Sequence, residues 1–466
     1  MAKLSDTPIL SIAGKPSRRA MLGSAGVALG FAATQAVTGK AWAAPGDMTL
    51  AATSFGVKPG SGDDQSRAIQ KALDAATQAR LPLFFPPGSY VASELVARPG
   101  LRLLGVPGAS RIVHAGGINI LSASKCDGFS AEGLGFDGGK LPIRDGEGLL
   151  TIADSAAVSI RDCTVTGSYE SGLVLRSVAG DVTGCTVDGV GVTGIFALDS
   201  RGLALRDNTV RGCANNGIQV WQSEAREDGT LVTGNRISDI AARDGGTGEN
   251  GNGINVFRAG NVIVANNRIS KCAFTAVRCN SSSNVQVLGN NCSDMGEVAL
   301  FVEFGYQGAV VANNIIERAV FGINVTNFDT GGRLAVVQGN VMRDFVAPPV
   351  TDNPDDVGSI GIIAEADIAV TGNVIEGANY MGMRLGYGPF LRDLTVTGNV
   401  IRRSGIGIGV SLVEGAGQAV IADNLIAESV NGALVGFAWS KATTGDLLAP
   451  GAKVDPRLTL SGNRVR

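Results

Sequence analysis

Val-Thr-Gly-Asn-Arg-Ile at 232–237, followed after a loop by Asn-Gly-Ile-Asn-Val at 252–256, is the stretch that decides how this chain folds. Both halves recur in variant form from about residue 160 to the C-terminus. The asparagine of the first half forms a column: Asn208, Asn235, Asn267, Asn290, Asn314, Asn340, Asn373, Asn399, Asn424 and Asn463. Each stands two residues before a mostly apolar partner, and Cys163 and Cys185 hold the same register ahead of Val165 and Val187. Successive members lie 22 to 39 residues apart. A fixed short motif with a stretchable remainder marks a solenoid, because extra residues bulge outward while the core repeat stays in step.

Each repeat holds two or three segments of alternating Val and Ile, three to five residues long, separated by Gly, Asn, Asp or Ser. That is strand patterning with turn punctuation. A leucine-rich repeat needs leucines at fixed offsets, and none are present. The reading is an all-β, right-handed parallel β-helix, in which coils stack about 4.8 Å apart and equivalent residues form columns. Asparagine suits the turn because it tolerates the left-handed conformation, and stacked amides bond along the column. The 66 glycines and 5% aromatics fit thin coils with sharp corners.

Residues 1–43 read as an export leader. Ser17-Arg18-Arg19-Ala20-Met21-Leu22 resembles the twin-arginine motif, residues 21–37 are apolar and uncharged, and Ala41-Trp42-Ala43 gives a small-x-small cleavage site. The expected export partner is the twin-arginine translocase, with the working location periplasmic or secreted. The leader carries Lys3, Lys15, Arg18, Arg19 and Lys40 against Asp6, so its removal leaves the chain more acidic than the −3 of the whole. That excludes nucleic acid as a natural partner and offers no basic patch for stable membrane attachment. Seven cysteines without zinc-type spacing read as buried thiols, with a Cys163–Cys185 disulfide as the other reading.

The expected divisions are the leader, a cap with the first coils at 44–110, and the repeat domain at 111–466. In the cap, Asp63-Asp64 precedes Ile69, Ala72, Leu73 and Ala76, whose spacing predicts one apolar face of a helix. Such a helix covers the open end of a solenoid. The string FGVKPGSGDDQSRAIQKALDAA (55–76), followed by LFFPPGSY (83–90), resembles the opening of pectin-lyase-like right-handed β-helix proteins. With its leader and long repeat region, the chain also resembles a family of twin-arginine-translocated repetitive bacterial proteins. The resemblance implies a fold and no single activity, since this fold hosts lyases, glycosidases, epimerases, adhesins and phage spikes.

The family sites that the resemblance brings to mind are missing. Polygalacturonase-like members carry Gly-His-Gly, but the only histidine here, His114, lies in RIVHAGG. Alginate-epimerase-like members carry Asp-Pro-His-Asp, whereas the nearest string is Asp352-Asn353-Pro354-Asp355-Asp356. The Arg-x-Pro-x-x-Arg of pectate-lyase-like sites is also absent. Ser-His-Asp chemistry has no reasonable set of residues.

The candidate site comes from the outward face of the strand after the variable loop. Aligned on Gly217, Gly253, Ala276, Ala299, Gly322, Gly361 and Gly382, residues one and three positions later face inward, and those two and four later face out. The second-position column reads Gln219, Asn255, Arg278, Phe301, Asn324, Ile363, Arg384, with Gly409 and Leu434 after it. The fourth reads Trp221, Phe257, Asn280, Glu303, Thr326, Glu365, Gly386. Two insertions, 240–252 and 346–358, project from one edge of this face. The expected groove suits a polysaccharide or cell-envelope glycan, whose rings stack on Trp221, Phe257 and Tyr306 while hydroxyls bond to Asn255, Asn280, Asn324, Glu365 and Arg384.

If the groove is catalytic, Arg278 and Glu303 are the residues to carry it. Glu303 with Glu365 or Asp329 forms a glycosidase pair, or Arg278 steadies a uronate carboxylate while a base removes the adjacent proton. No cofactor is required. Asp352, Asp355 and Asp356 offer Ca²⁺ some oxygens, short of the usual six to eight and outside any known loop pattern. The alternative is a non-catalytic envelope or surface scaffold, for which an alternating polar face needs no ligand.

Overall fold

The computed structural model describes residues 48–246, 248–326, 330–348 and 358–466. The leader and Asp352, Asp355 and Asp356 lie outside the described residues. The rest winds into a parallel β-solenoid of about 13 turns. Three sheets run its length. The first stacks Leu95–Val96 and Leu121–Ser124 and continues to Leu434–Ala438. The second runs from Leu50–Ala51 through Leu83–Phe84 to Leu458–Ser461. The third runs from Gly88–Val91 to Arg464–Val465. Inward residues alternate with outward ones, so Ile218, Val220, Ile254 and Val256 are buried in one core that runs the length of the coils.

The asparagine column is a ladder at the turn between the second and third sheets. Asn235 Oδ1 accepts from both the backbone N–H and the side-chain Nδ2 of Asn208, each at 3.0 Å. Nδ2 of Asn235 in turn donates to Leu205 O behind it and to Asn267 Oδ1 ahead, both at 2.9 Å. The same pattern passes through Asn314 and Asn340 and ends where Asn424 meets Asn463. Cys185 starts it by donating its N–H to Asn208 Oδ1. Almost all these asparagines are buried, and each bond made removes a cost that an unpaired buried amide would impose.

The left-handed residue is not the ladder asparagine but the one before it. Asp207, Gly234, Asn266, Gly289, Asn313 and Gly339 all have φ between 57° and 70°. They alternate between a side chain and glycine because the coils are too close for two side chains. A Cβ at Gly289 or Gly339 would come within 2.7 Å of the Oδ1 of Asn266 or Asn313 on the preceding coil. Asp162 with Gly184, and Asp423 with Gly462, repeat the arrangement.

The two ends close differently. At the first, the helix Ser66–Ala79 buries Ile69, Ala72, Leu73 and Ala76, as their spacing predicts. Asp64 Oδ1 accepts the N–H of Ser66 at 2.8 Å, satisfying one of its free donors. At the other, Leu434–Ala438 turns back through Trp439 and Ser440 into an antiparallel strand, Lys441–Asp446. Trp439 does not lie over the end of the stack; it packs edge-on against Tyr387 on the side, ring centroids 5.2 Å apart. The seven cysteines are buried free thiols, and burial pushes Cys213, Cys279 and Cys292 up to about 12.

Candidate functional site

Strand pairing puts the outward residues in the predicted columns. Gln219 pairs with Asn255, Asn255 with Arg278, Arg278 with Phe301, and Phe301 with Asn324. Trp221 pairs with Phe257, Phe257 with Asn280, and Asn280 with Glu303. One register differs at the end: Val435 stands beside Gly409, and Leu434 points into the core.

The face is not open. Gln219, Asn255, Arg278, Glu303, Asn324 and Glu365 are all buried, and over Asn255 and Arg278 the chain folds across. The 240–252 insertion, expected to project from one edge of the face, brings Gly248 and Glu249 across the middle coils instead. Asn255 Nδ2 donates to the carbonyls of Gly248 and Glu249 at 3.1 and 3.3 Å. Asn216 Nδ2 donates to Glu249 O, and Asn252 Nδ2 to Gly248 O. Gly248 lies close enough that a Cβ there would stand 3.1 Å from Arg278 Nη2. A loop of small residues can approach the sheet this closely; a bulkier one could not.

Beneath the loop is a cavity of about 460 Å³, lined by Trp221, Asn255, Phe257, Arg278, Asn280, Phe304, Gly246, Gly248 and Glu249. That size lies within the range of small-ligand sites. Five sequence-predicted residues therefore meet in one place. Trp221 and Phe257 are edge-on at 5.5 Å. Tyr306 is not among the lining residues: it is wholly buried in the core, and the third aromatic is Phe304, two residues earlier.

Arg278 and Glu303 form a buried two-pronged ion pair, Nε to Oε1 at 2.6 Å and Nη2 to Oε2 at 3.0 Å. Asn280 Nδ2 also donates to Glu303 Oε1, at 2.8 Å. Both carboxylate oxygens are engaged, so Glu303 fixes the guanidinium that edges the cavity. A second carboxyl nearby has no such partner. Glu297 leaves a buried Oε2 unbonded among the described residues, and burial raises its pKa, with Glu303 adding and Arg278 opposing. Glu297 escapes the outward-column pattern because it sits at the register shift between Met295 and Val298, inside Asn291–Glu303; the signal was an acid where Phe274 and Val320 stand on the neighbouring coils. The Nε1 of Trp221 and the Oδ1 of Asn324 are likewise buried and unbonded.

The remaining predicted residues fall elsewhere. Asn324 lies one coil beyond Phe301, outside the cavity lining. Glu365 is buried near Tyr306, whose hydroxyl pKa burial raises, with Glu365 second. Arg384 stacks over the Tyr387 ring at 4.3 Å. Asp329 lies outside the described residues. Among the described residues no cluster of three or more His, Cys, Asp or Glu is arranged to hold a metal, and no helix is long and apolar enough to cross a membrane.

Comparison with known proteins agrees with this architecture. The family described as "Right handed beta helix region" matches residues 147–223 and 171–341. Among solved structures, the N-terminal fragment of bacteriophage phi29 gene product 12 is 13% identical; the match covers 89% of this chain and 72% of that one, with a TM-score of 0.57. The mannuronan C-5 epimerase A-module of Azotobacter vinelandii is 17% identical over 66% of this chain and 98% of its own, with a TM-score of 0.49. A thermostable alpha-1,3-glucanase catalytic unit from Streptomyces thermodiastaticus is 14% identical over 90% and 69%, with a TM-score of 0.48. The phage likeness shows a shared fold, a right-handed parallel β-helix.

Proposed function

We propose that this chain is an exported carbohydrate-binding β-helix that holds a saccharide unit in the cavity edged by Gly246, Gly248 and Glu249. The observation that carries this is the cavity's lining. Trp221, Phe257 and Phe304 supply ring faces and edges, while Asn255, Asn280 and the Arg278 guanidinium stand among them. Sugars need that combination, since their apolar ring faces stack on aromatics and their hydroxyls take amide and guanidinium bonds. Arg278 also suits the carboxylate of an acidic sugar. Export rests on the twin-arginine leader.

Binding without turnover is the primary reading, because Arg278 and Asn280 already hold both oxygens of Glu303 in place. Glu297 favours processing as a second reading. A carboxyl whose hold on its proton burial strengthens is suited to donate to a leaving oxygen, with Arg278 holding the substrate and Glu303 holding Arg278.

The test is a glycan array and polysaccharide-depletion screen on the protein, beside Phe257→Ala and Asn280→Ala. Reducing ends and unsaturated-uronate absorbance are followed on every hit, with and without calcium. Binding weakened in both variants supports the cavity. Product formation that is lost in Glu297→Gln moves the protein to the processing reading. Folded protein that takes no uronate, neutral glycan or cell-wall fragment is the result expected of a scaffold and overturns the proposal.

A further inference from the structure

Two aromatic residues outside the core have backbones that bulky side chains rarely adopt. Phe304 has φ 60° and Trp439 has φ 54°, and no other aromatic among the described residues is left-handed. Trp439 is 50% exposed and Phe304 36%. Each sits just past the end of a first-sheet strand, Phe304 on the way to the second sheet and Trp439 where the chain turns back into Lys441–Asp446. A strained position for an exposed aromatic ring needs a reason, since the ring is not there to fill a core.

Trp439 is held firmly. Its ring lies edge-on to Tyr387 at 5.2 Å, and Arg384 stacks on the other ring with Cζ 4.3 Å from its centroid. Arg384 Nη2 reaches Trp439 O at 3.5 Å, and Gly388 leaves the space the indole occupies. The hydroxyls of Tyr387 and Ser440 are 3.4 Å apart beside it. The result is a fixed aromatic surface flanked by a cation and two hydroxyls. Ser411 Oγ pins the backbone beneath, donating to Gly388 O at 2.6 Å.

We infer that Trp439, Tyr387 and Arg384 form a second saccharide subsite, so that the ligand is a glycan chain lying along the solenoid axis from the cavity to this platform. The inference rests on the carbohydrate reading of the cavity and fixes the ligand as a polymer. Phe301 pairs with Asn324, Asn324 with Ile363 and Ile363 with Arg384, so the coils of Phe304 and Tyr387 are three steps apart. At the inter-strand spacing that is about 14 Å, the length of several sugar units rather than one. Both ends of the track set an aromatic beside an arginine of the outward column: Phe304 lines the cavity with Arg278, and Arg384 stacks over Tyr387.

Intrinsic fluorescence tests this, because the chain has only three tryptophans, Trp42, Trp221 and Trp439. In the full chain, Trp42→Phe/Trp221→Phe leaves Trp439 as reporter, and Trp42→Phe/Trp439→Phe leaves Trp221. Each is titrated with oligomers of two to eight units cut from polygalacturonate, alginate, β-1,4-glucan and chitin. The expected result is that short oligomers perturb Trp221 alone, while longer ones also perturb Trp439. Trp439→Ala then weakens the longest oligomers about tenfold and leaves dimers unchanged, with the unfolding midpoint unmoved. A Trp221 response at every length with Trp439 silent overturns the second subsite and leaves the cavity reading standing. Silence of both reporters overturns the cavity reading and this inference with it. A Trp439 response to dimers while Trp221 stays silent breaks the continuous track.

Discussion

Two columns of buried polar side chains run along this solenoid, one on the asparagine corner and one on the middle of the first sheet. The corner repeats a single residue type, and each interior rung receives from the coil before it and gives to the coil after it. The sheet changes residue at every coil, and its bonds do not close: Trp221 Nε1, Asn324 Oδ1 and Glu297 Oε2 are left over among the described residues. A buried polar group that is paired holds the fold; one that is not asks what it is waiting for. The comparison separates structure from candidate function without appeal to any motif.

The largest effect that sharpens it is expected at the one closed unit of the sheet column. Arg278→Ala leaves Glu303, 2% exposed, without its counter-charge and should lower stability by about 3–5 kcal/mol. The double variant Arg278→Ala/Glu303→Ala should cost much less, measured by urea unfolding; equal losses would mean the pair is not coupled as its geometry states. Next comes the ladder. Asn314→Ala deprives the Asn290 N–H and the Val287 carbonyl of their amide partner, at about 1–3 kcal/mol for each group left unpaired. Asn463→Ala, at the last rung, should cost under about 1 kcal/mol, since its neighbour can turn to water. Similar losses at both positions would remove the distinction between interior and end.

Smaller effects depend on pH. Burial raises the Glu297 pKa, so the folded chain prefers the protonated acid, and its contribution is complete below the usual 4.5 and is lost as pH rises through the raised value. Glu297→Gln should therefore raise the melting temperature at pH 7 and change little at pH 4. His114 has the opposite sign. It is buried with both ring nitrogens unbonded, and burial lowers its pKa against the pull of Glu94. Its contribution is complete above the usual 6.5 and is lost as pH falls through the lowered value. His114→Phe should flatten the stability profile on the acid side, read from melting curves between pH 8 and pH 5.

What the sequence discloses follows from what repeats. The ladder, the inward column and the capping helix are set by side chains whose neighbours are copies of themselves, so their spacing alone locates them. The columns through Asn255, Arg278 and Asn280 were legible for the same reason. The burial of that face was not, because it depends on the path of residues 240–252, a single unrepeated loop whose carbonyls find Asn255 and Asn216. Tyr306 was misplaced because it lies past the left-handed turn at Phe304, where strand alternation no longer predicts which way a side chain points. Glu297 was missed because the register shift between Met295 and Val298 breaks the alternation inside its strand.

The alternation of a side chain and glycine ahead of the ladder has a consequence for how such a chain can lengthen or shorten. Asp207 with Gly234, Asn266 with Gly289, and Asn313 with Gly339 are matched couples, and each glycine exists to make room for its predecessor. Between Asp162 and Asn313, deleting a glycine coil alone would bring two side chains into a gap built for one, and deleting a whole couple would restore the match. From Gly339 through Gly372 and Gly398 the position stays glycine, so single coils can be gained or lost there. Relatives of different length should therefore differ by pairs of coils in the first stretch and by single coils in the second.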